Sequence, residues 1–275
     1  MTVRVAGFAG EFAALSAWTG EPEDELRREE DYHDAGREHW LAWDGERVAG
    51  VLHPWRAPDG RQRLYFGRCR ADAYGPLAGK VRGECYVQVD VGDEAALGAL
   101  RAAGFADLRA EHEYTVPVRR LGAAVPAGLR VITADQTELE PLMLLDCAIR
   151  ADIPGAEGWQ PDPVWFREET YDSPFFDPQT YRVALAGDRY VGLARVWRPV
   201  PGRDPMPVLG CVGVLAAYRQ RGLARALIGA AFEPLAERGV PAVNAEVDTA
   251  NVASNALFGS LGASVTGGTI ELRRS

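Results

Sequence analysis

The residues with the clearest chemical potential lie in one stretch, Val212-Gly213-Val214-Leu215-Ala216-Ala217-Tyr218-Arg219-Gln220-Arg221-Gly222-Leu223-Ala224-Arg225. An apolar strand ends, a basic turn with a glycine follows, and an Ala/Leu-rich helix begins. A helix start leaves backbone N–H groups without partners and carries partial positive charge, so it suits a phosphate or pyrophosphate. Gly222 would let the backbone approach such a ligand and Ala224 keeps the surface flat. Arg219, Arg221 and Arg225 add charge. Solvation of a helix start is the plainer use of the same residues.

A second group stands 29 residues after Gly222, where Asn251 heads the segment Asn251-Val252-Ala253-Ser254-Asn255-Ala256-Leu257-Phe258. An Asn there reads by itself as a helix N-cap. Three carboxylates are candidates for taking a proton from a reacting group: Glu246 and Asp248, which alternate on one face of a strand, and Asp152 in a long loop. Each also reads as a surface or capping carboxylate. Cys211 has no His at a triad-like position and reads as a buried strand thiol.

Arg219-x-x-Gly222-x-Ala224, with its upstream strand, resembles the Q/R-x-x-G-x-G/A signature of the GCN5-related N-acetyltransferases. The Asn251–Ala263 segment is similar to that family's N-x-x-x-N-A-L-Y-x-x-L-G-F helix. The resemblance implies that the turn holds the pyrophosphate of acetyl-CoA and that Val212, Gly213 and Val214 pair with the pantetheine arm. It implies a place for Gln220, Arg221, Leu223, Ala224 and Arg225 beside Gly222, and for Asn251 and Phe258 along the cofactor. It implies direct transfer, with an amine attacking the thioester and a backbone N–H near Cys211 or Gly213 meeting the oxyanion. Phe258 stands where the family often has the Tyr that protonates the leaving thiolate, so that route is closed. A thiolate is a good leaving group, and positioning supplies much of the rate.

These residues need a scaffold, and the sequence supplies one twice. The first half reads as strands at 3–5, 39–43, 47–55, 64–67, 86–91 and 113–118, with helices at 11–18, 23–34 and 94–103. The second half repeats the order. Strands fall at 129–132, 181–186, 190–197, 208–214, 242–247 and 269–273, and helices from a cap at Asp135 to about 150 and at 163–170, 222–238 and 252–261. Asp44-Gly45 and Gly187-Asp188 mark equivalent hairpins, and Asp135-x-x-Glu138 resembles a capping box. The 17 residues from Val89 to Phe105 align without a gap on those from Val247 to Ala263, a period of 158. The expectation is a mixed α/β (α+β mixed sheet) protein of two tandem acyl-CoA N-acyltransferase domains. They would cover residues 1–120 and 128–275, joined by the Gly/Pro-rich segment 119–128. The first half lacks the cradle sequence and has Asp93 and Leu100 where the second has Asn251 and Phe258. It is the degenerate copy.

Composition narrows the partners. The chain has 30 Lys+Arg against 39 Asp+Glu, a net charge of −9. Neither half is basic, which opposes nucleic acid as a partner. The 4 cysteines lie far apart with no His at metal spacing, so neither a disulfide frame nor a metal site is expected. There is no signal-peptide pattern and no apolar run of membrane-spanning length, so a cytoplasmic protein without membrane attachment is expected. The loop 151–177 sets Trp159, Trp165, Tyr171, Phe175 and Phe176 beside Asp152, Glu157, Asp162, Glu168, Glu169 and Asp172. That mixture suits a cationic or sugar-like small molecule. The expected activity is acetyl transfer from acetyl-CoA to a small-molecule amine, by a monomer or homodimer. The alternatives are a protein or peptide N-acetyltransferase and a non-catalytic acyl-CoA sensor.

Overall fold

The computed structural model describes residues 3–27, 38–57, 59–156, 158–199 and 205–275. Most of the expected helix at 23–34, and Glu157, lie outside them. The chain divides into two compact units, one made of the residues up to Ala110 with Thr269–Ser275, the other of Glu111–Gly268.

In the first unit, β1 (Arg4–Gly7), β2 (Trp40–Asp44), β3 (Arg47–Arg56) and β4 (Gln62–Phe66) form an antiparallel meander. A parallel partner, β5 (Cys85–Asp90), follows. Its helices are α1 (Phe12–Thr19), α2 (Glu23–Leu26), α3 (Tyr74–Ala78) and α4 (Glu94–Ala102). The short α3 has no counterpart in the sequence expectation. The strands that leave and enter this unit are both longer than expected. β6 spans Ala106–Pro117, and the last strand of the chain, β12, spans Ser264–Arg274. Residues 269–274 of β12 pair antiparallel with β5, Thr269 opposite Asp90 and Leu272 opposite Val87.

The second unit repeats this topology. β7 (Leu129–Thr133), β8 (Tyr181–Ala186), β9 (Arg189–Trp197) and β10 (Val208–Val214) form the meander, and β11 (Ala242–Asp248) is the parallel partner. Residues 111–117 of β6 lie antiparallel beside β11, Val116 opposite Val243. Each half of the chain therefore receives a strand end from the other half, and the strand at 113–118, read from sequence as closing the first domain, belongs to the one that completes the second. Boundaries at 120 and 128 miss this exchange, because strand alternation says where a strand is and not which sheet it joins.

The helices of the second unit are α5 (Leu139–Arg150), α6 (Pro163–Glu169), α7 (Leu223–Glu237) and α8 (Val252–Ser260). The expected capping box does not form. Asp135 sits in a separate short turn, and Glu138 occupies the N-cap without a side-chain bond. Leu227, Phe232, Val243 and Ala245 pack one face of the sheet against α7 and α8. Leu142, Ile149, Tyr181 and Leu193 pack the other against α5 and α6. Pro234 sits inside α7 and cannot donate to the Ala230 carbonyl. The Arg182 Nε takes over that acceptor at 3.2 Å.

The expected 17-residue repeat is visible atom by atom. Asp93 and Asn251 each cap their helix by accepting from the backbone N–H three residues on, at 2.9 and 3.1 Å. Gly104 and Gly262 both end the helix in the left-handed conformation. The following residues, Phe105 and Ala263, each donate back to Leu100 and Phe258 at 3.1 Å.

Candidate active site

The site begins where β10 leaves β11. Val208 and Asn244 are the one pair in register between these strands. On its other edge β10 stays paired with β9 to Val214, through an irregularity between Leu209 and Cys211. The two parallel strands diverge beyond Val208 and a groove of about 560 Å³ opens. Val212, Gly213 and Val214 form one wall, Asn251, Ser254 and Leu257 of α8 another, and Ile149 and Ile153 at the end of α5 a third.

The groove ends on the turn before α7. Gln220 has φ 58°, the one non-glycine positive φ among the described residues, and Gly222 follows at φ 79°. Left-handed residues in such a turn aim successive N–H groups into a concavity that attracts anions. Gly222 is the N-cap of α7, and no side chain caps that end. The donors of the first turn thus face the groove, which Arg219, Gln220, Gly222, Leu223, Ala224 and Arg225 all line.

Two expected groove residues lie elsewhere. The exposed Arg221 donates to the Ala217 carbonyl at 3.0 Å, its guanidinium 5.7 Å from the Tyr218 ring. Phe258, 2% exposed, turns into the core and packs on Tyr114 with ring centroids 5.3 Å apart. The Tyr114 hydroxyl donates to Asn255 Oδ1 at 2.8 Å. Asn255 Nδ2 in turn donates to the carbonyls of Asn251 and Asp248, at 2.8 and 2.9 Å. Tyr114, on β6, was not a candidate from sequence, since nothing local ties it to a helix 140 residues later.

The three candidate bases have different surroundings. Asp152 lines the groove and forms an ion pair with Arg219. Asp248 is 5% exposed and accepts from the Ala250 N–H at 2.7 Å, holding the turn before α8. Glu246 is exposed on β11, directly opposite Glu113 of β6. The alternation expected for Glu246 and Asp248 is present, with Val243, Ala245 and Val247 on the opposite, buried face. Burial raises the pKa of Cys211, against a smaller lowering by Arg195, so the thiol stays protonated. Among the described residues no group of three or more His, Cys, Asp or Glu could hold a metal, and no helix is long and apolar enough to cross a membrane.

In the loop 151–177, whose mixture suits a cationic or sugar-like molecule, some carboxylates are engaged within the protein. Asp162 caps α6, accepting from Val164 and Trp165 at 2.9 Å each, and Asp152 is held by Arg219. The Arg150 guanidinium lies 4.6 Å from the Trp159 ring, and Trp159 also packs on Trp165 with centroids 5.0 Å apart.

An open parallel strand pair leading to a basic left-handed turn at a helix start is the architecture of acyl-CoA-dependent N-acetyltransferases. The family model described as acetyltransferase (GNAT) family matches residues 147–263. The mycothiol acetyltransferase of Thermomonospora curvata is 30% identical over 225 residues, covering 80% of this chain and 71% of that protein. That of Thermobispora bispora is 29% identical over 242 residues, 83% of this chain and 80% of that one. A GCN5-related N-acetyltransferase structure from Sphaerobacter thermophilus superposes with TM-score 0.71 at 17% identity, covering 99% and 95% of the two chains. A tandem GNAT protein from the clavulanic acid biosynthesis pathway gives 0.67 at 16% identity, covering 98% of each. The chain belongs to the GCN5-related N-acetyltransferase superfamily, in the tandem form, and is an N-acetyltransferase.

Proposed function

We propose that the second unit transfers the acetyl group of acetyl-CoA to the primary amine of a small molecule by direct attack on the thioester. The observation that carries this is the continuous groove from the β10–β11 divergence to the Gln220–Gly222 turn. The turn and the start of α7 would hold the pyrophosphate. The β10 edge released from β11 offers backbone groups to the pantetheine amides and an N–H to the developing oxyanion. Asn251 caps α8 through Oδ1, which leaves its Nδ2 as a donor on the groove wall.

Glu246, Asp248 and Asp152 are the candidate bases, acting directly or through water; Asp152 is the one that lines the groove, where it pairs with Arg219. Phe258 can donate no proton, so the thiolate is protonated by water or another group. Relatives named mycothiol acetyltransferase support a small-molecule acceptor. The first unit plays no part in holding acetyl-CoA in this reading, since the five-residue α3 follows β4 where the fifteen-residue α7 follows β10.

Calorimetry with acetyl-CoA on the intact protein and on Gly222→Trp tests the assignment. Micromolar binding that the variant loses supports it, and release of free thiol with an amine completes it. Binding without turnover across amines would make the protein a sensor. No binding by the intact protein would remove both readings.

A further inference from the structure

A second cavity, of about 380 Å³, lies in the same unit under α6. Its walls are Trp159, Trp165, Phe166, Phe175 and Trp197. Arg195 of β9 also lines it, although that residue is 5% exposed. The Arg195 guanidinium lies 5.0 Å from the Trp197 ring and 5.8 Å from the Tyr181 ring. Its Nη1 donates to Asp146 Oδ1 at 3.2 Å. Asp146, 1% exposed, also accepts from Arg150 Nε at 2.5 Å. Two guanidiniums thus share one buried carboxylate and leave one positive charge over. Arg198 and Glu169 at the rim oppose each other in sign.

Arg195 Nε and the neighbouring Tyr181 hydroxyl have no well-formed hydrogen bond, and their side chains are linked by a weak one. Burial works against the charge on Arg195, and Asp146 outweighs it, so the guanidinium stays charged. A buried charged group whose Nε is only weakly satisfied is costly, and the excess charge suits an anion. A carboxylate matches the planar edge of a guanidinium better than other small anions of one charge.

The cavity lies beside the strand next to β10. Arg195 is in register with Cys211, next to the irregularity at which β10 departs from its regular course and beyond which it has left β11. Neighbouring strands are about 5 Å apart, so the backbone of Arg195 lies beside the strand that lines the groove.

We propose that this cavity is the acceptor subsite for a carboxylate, and that the acceptor is an aromatic amino carboxylate whose ring the tryptophans and phenylalanines enclose. This rests on the acetyltransferase reading only for the fate of the amine; the carboxylate subsite stands on its own binding. The test is calorimetry with phenylalanine, tyrosine and 4-(aminomethyl)benzoate, each beside its carboxamide, with acetyl-CoA titrated separately. At least one acid should bind roughly tenfold or more tighter than its amide, and Arg195→Met should abolish the difference while acetyl-CoA still binds. Equal binding of acid and amide, or no binding by any acid at millimolar concentration, overturns the subsite, and neither result depends on a variant that folds. Loss of acetyl-CoA binding by the intact protein would count against the transferase reading alone.

Discussion

Arg219 and Asp152 join the cofactor turn to the end of α5. The guanidinium donates Nη2 to the Asp152 carboxylate and Nε to the Val214 carbonyl, the latter at 2.8 Å. A residue in the signature turn thereby fixes both the last residue of β10 and the loop after α5. Both side chains are about half exposed, 46% and 56%, so the pair contributes little to stability, about 0.2–1 kcal/mol at most. Its effect should fall on cofactor affinity. Asp152→Asn is expected to raise KM for acetyl-CoA severalfold and leave kcat within a factor of about two. If Asp152 were the base, kcat would fall on the order of a hundredfold and the acidic limb of the pH–rate profile would vanish.

The Tyr114–Phe258 pair invites a different question, whether the hydroxyl that Phe258 lacks is supplied by its neighbour. Tyr114 is 7% exposed and its hydroxyl is engaged with Asn255, which holds the start of α8. It is therefore a structural hydroxyl. Tyr114→Phe should cost about 1 kcal/mol in urea unfolding and leave kcat and its alkaline limb unchanged. A large fall in kcat with unaltered stability would instead make Tyr114 the acid.

What could be read beforehand follows from the range of the interactions involved. The turn, α7 and α8 are local structures, and their signals (Gly222, Asn251, Gly262) sit within a few residues of the geometry they cause. The strand order of each unit follows from hairpins and one parallel crossover. The exchange of β6 and β12 was hidden, because pairing Val116 with Val243 is a contact across 127 residues that no local pattern encodes. The Arg195–Asp146–Arg150 group was hidden for a related reason: Arg195 sits in a strand that reads as apolar, and its partner is on a helix far earlier in the chain. Two carboxylates of the loop, Asp152 and Asp162, turn out to serve an ion pair and a helix cap, which their types alone do not reveal.

Gly213 should tolerate no side chain while Ile149 stands. A Cβ at Gly213 would come within 2.2 Å of the Ile149 Cγ2, and both residues line the groove. Gly213→Ala is expected to destabilise the fold by about 1–3 kcal/mol, as overpacking does, and to weaken acetyl-CoA binding. Trimming the opposing residue should restore part of both, so the Gly213→Ala/Ile149→Ala double variant should be more stable than the sum of the singles. Strict additivity in thermal unfolding would show that the two residues do not press on each other.

The thiols should be inert, Cys69 of the first unit among them. Its Sγ lies where a Cβ on Gly50 would be, 2.5 Å away, and donates weakly to the Arg70 carbonyl at 3.6 Å. Burial, with smaller contributions from Asp72 and Asp93, pushes its pKa from 9.0 up to about 12. At pH 8 the thiolate fraction is then lower on the order of a thousandfold than for a free thiol, and labelling should slow in proportion. The sign for stability follows from which state holds the proton. Between pH 9 and pH 12 the folded chain keeps the Cys69 proton and the unfolded chain releases it. The stabilisation is therefore complete below pH 9 and lost as pH rises toward 12. Melting temperatures of the wild type and Cys69→Ala, measured at pH 8 and pH 10.5, give the check. The gap between them should shift against the wild type at the higher pH, and a constant gap would mean that the thiol titrates alike in both states.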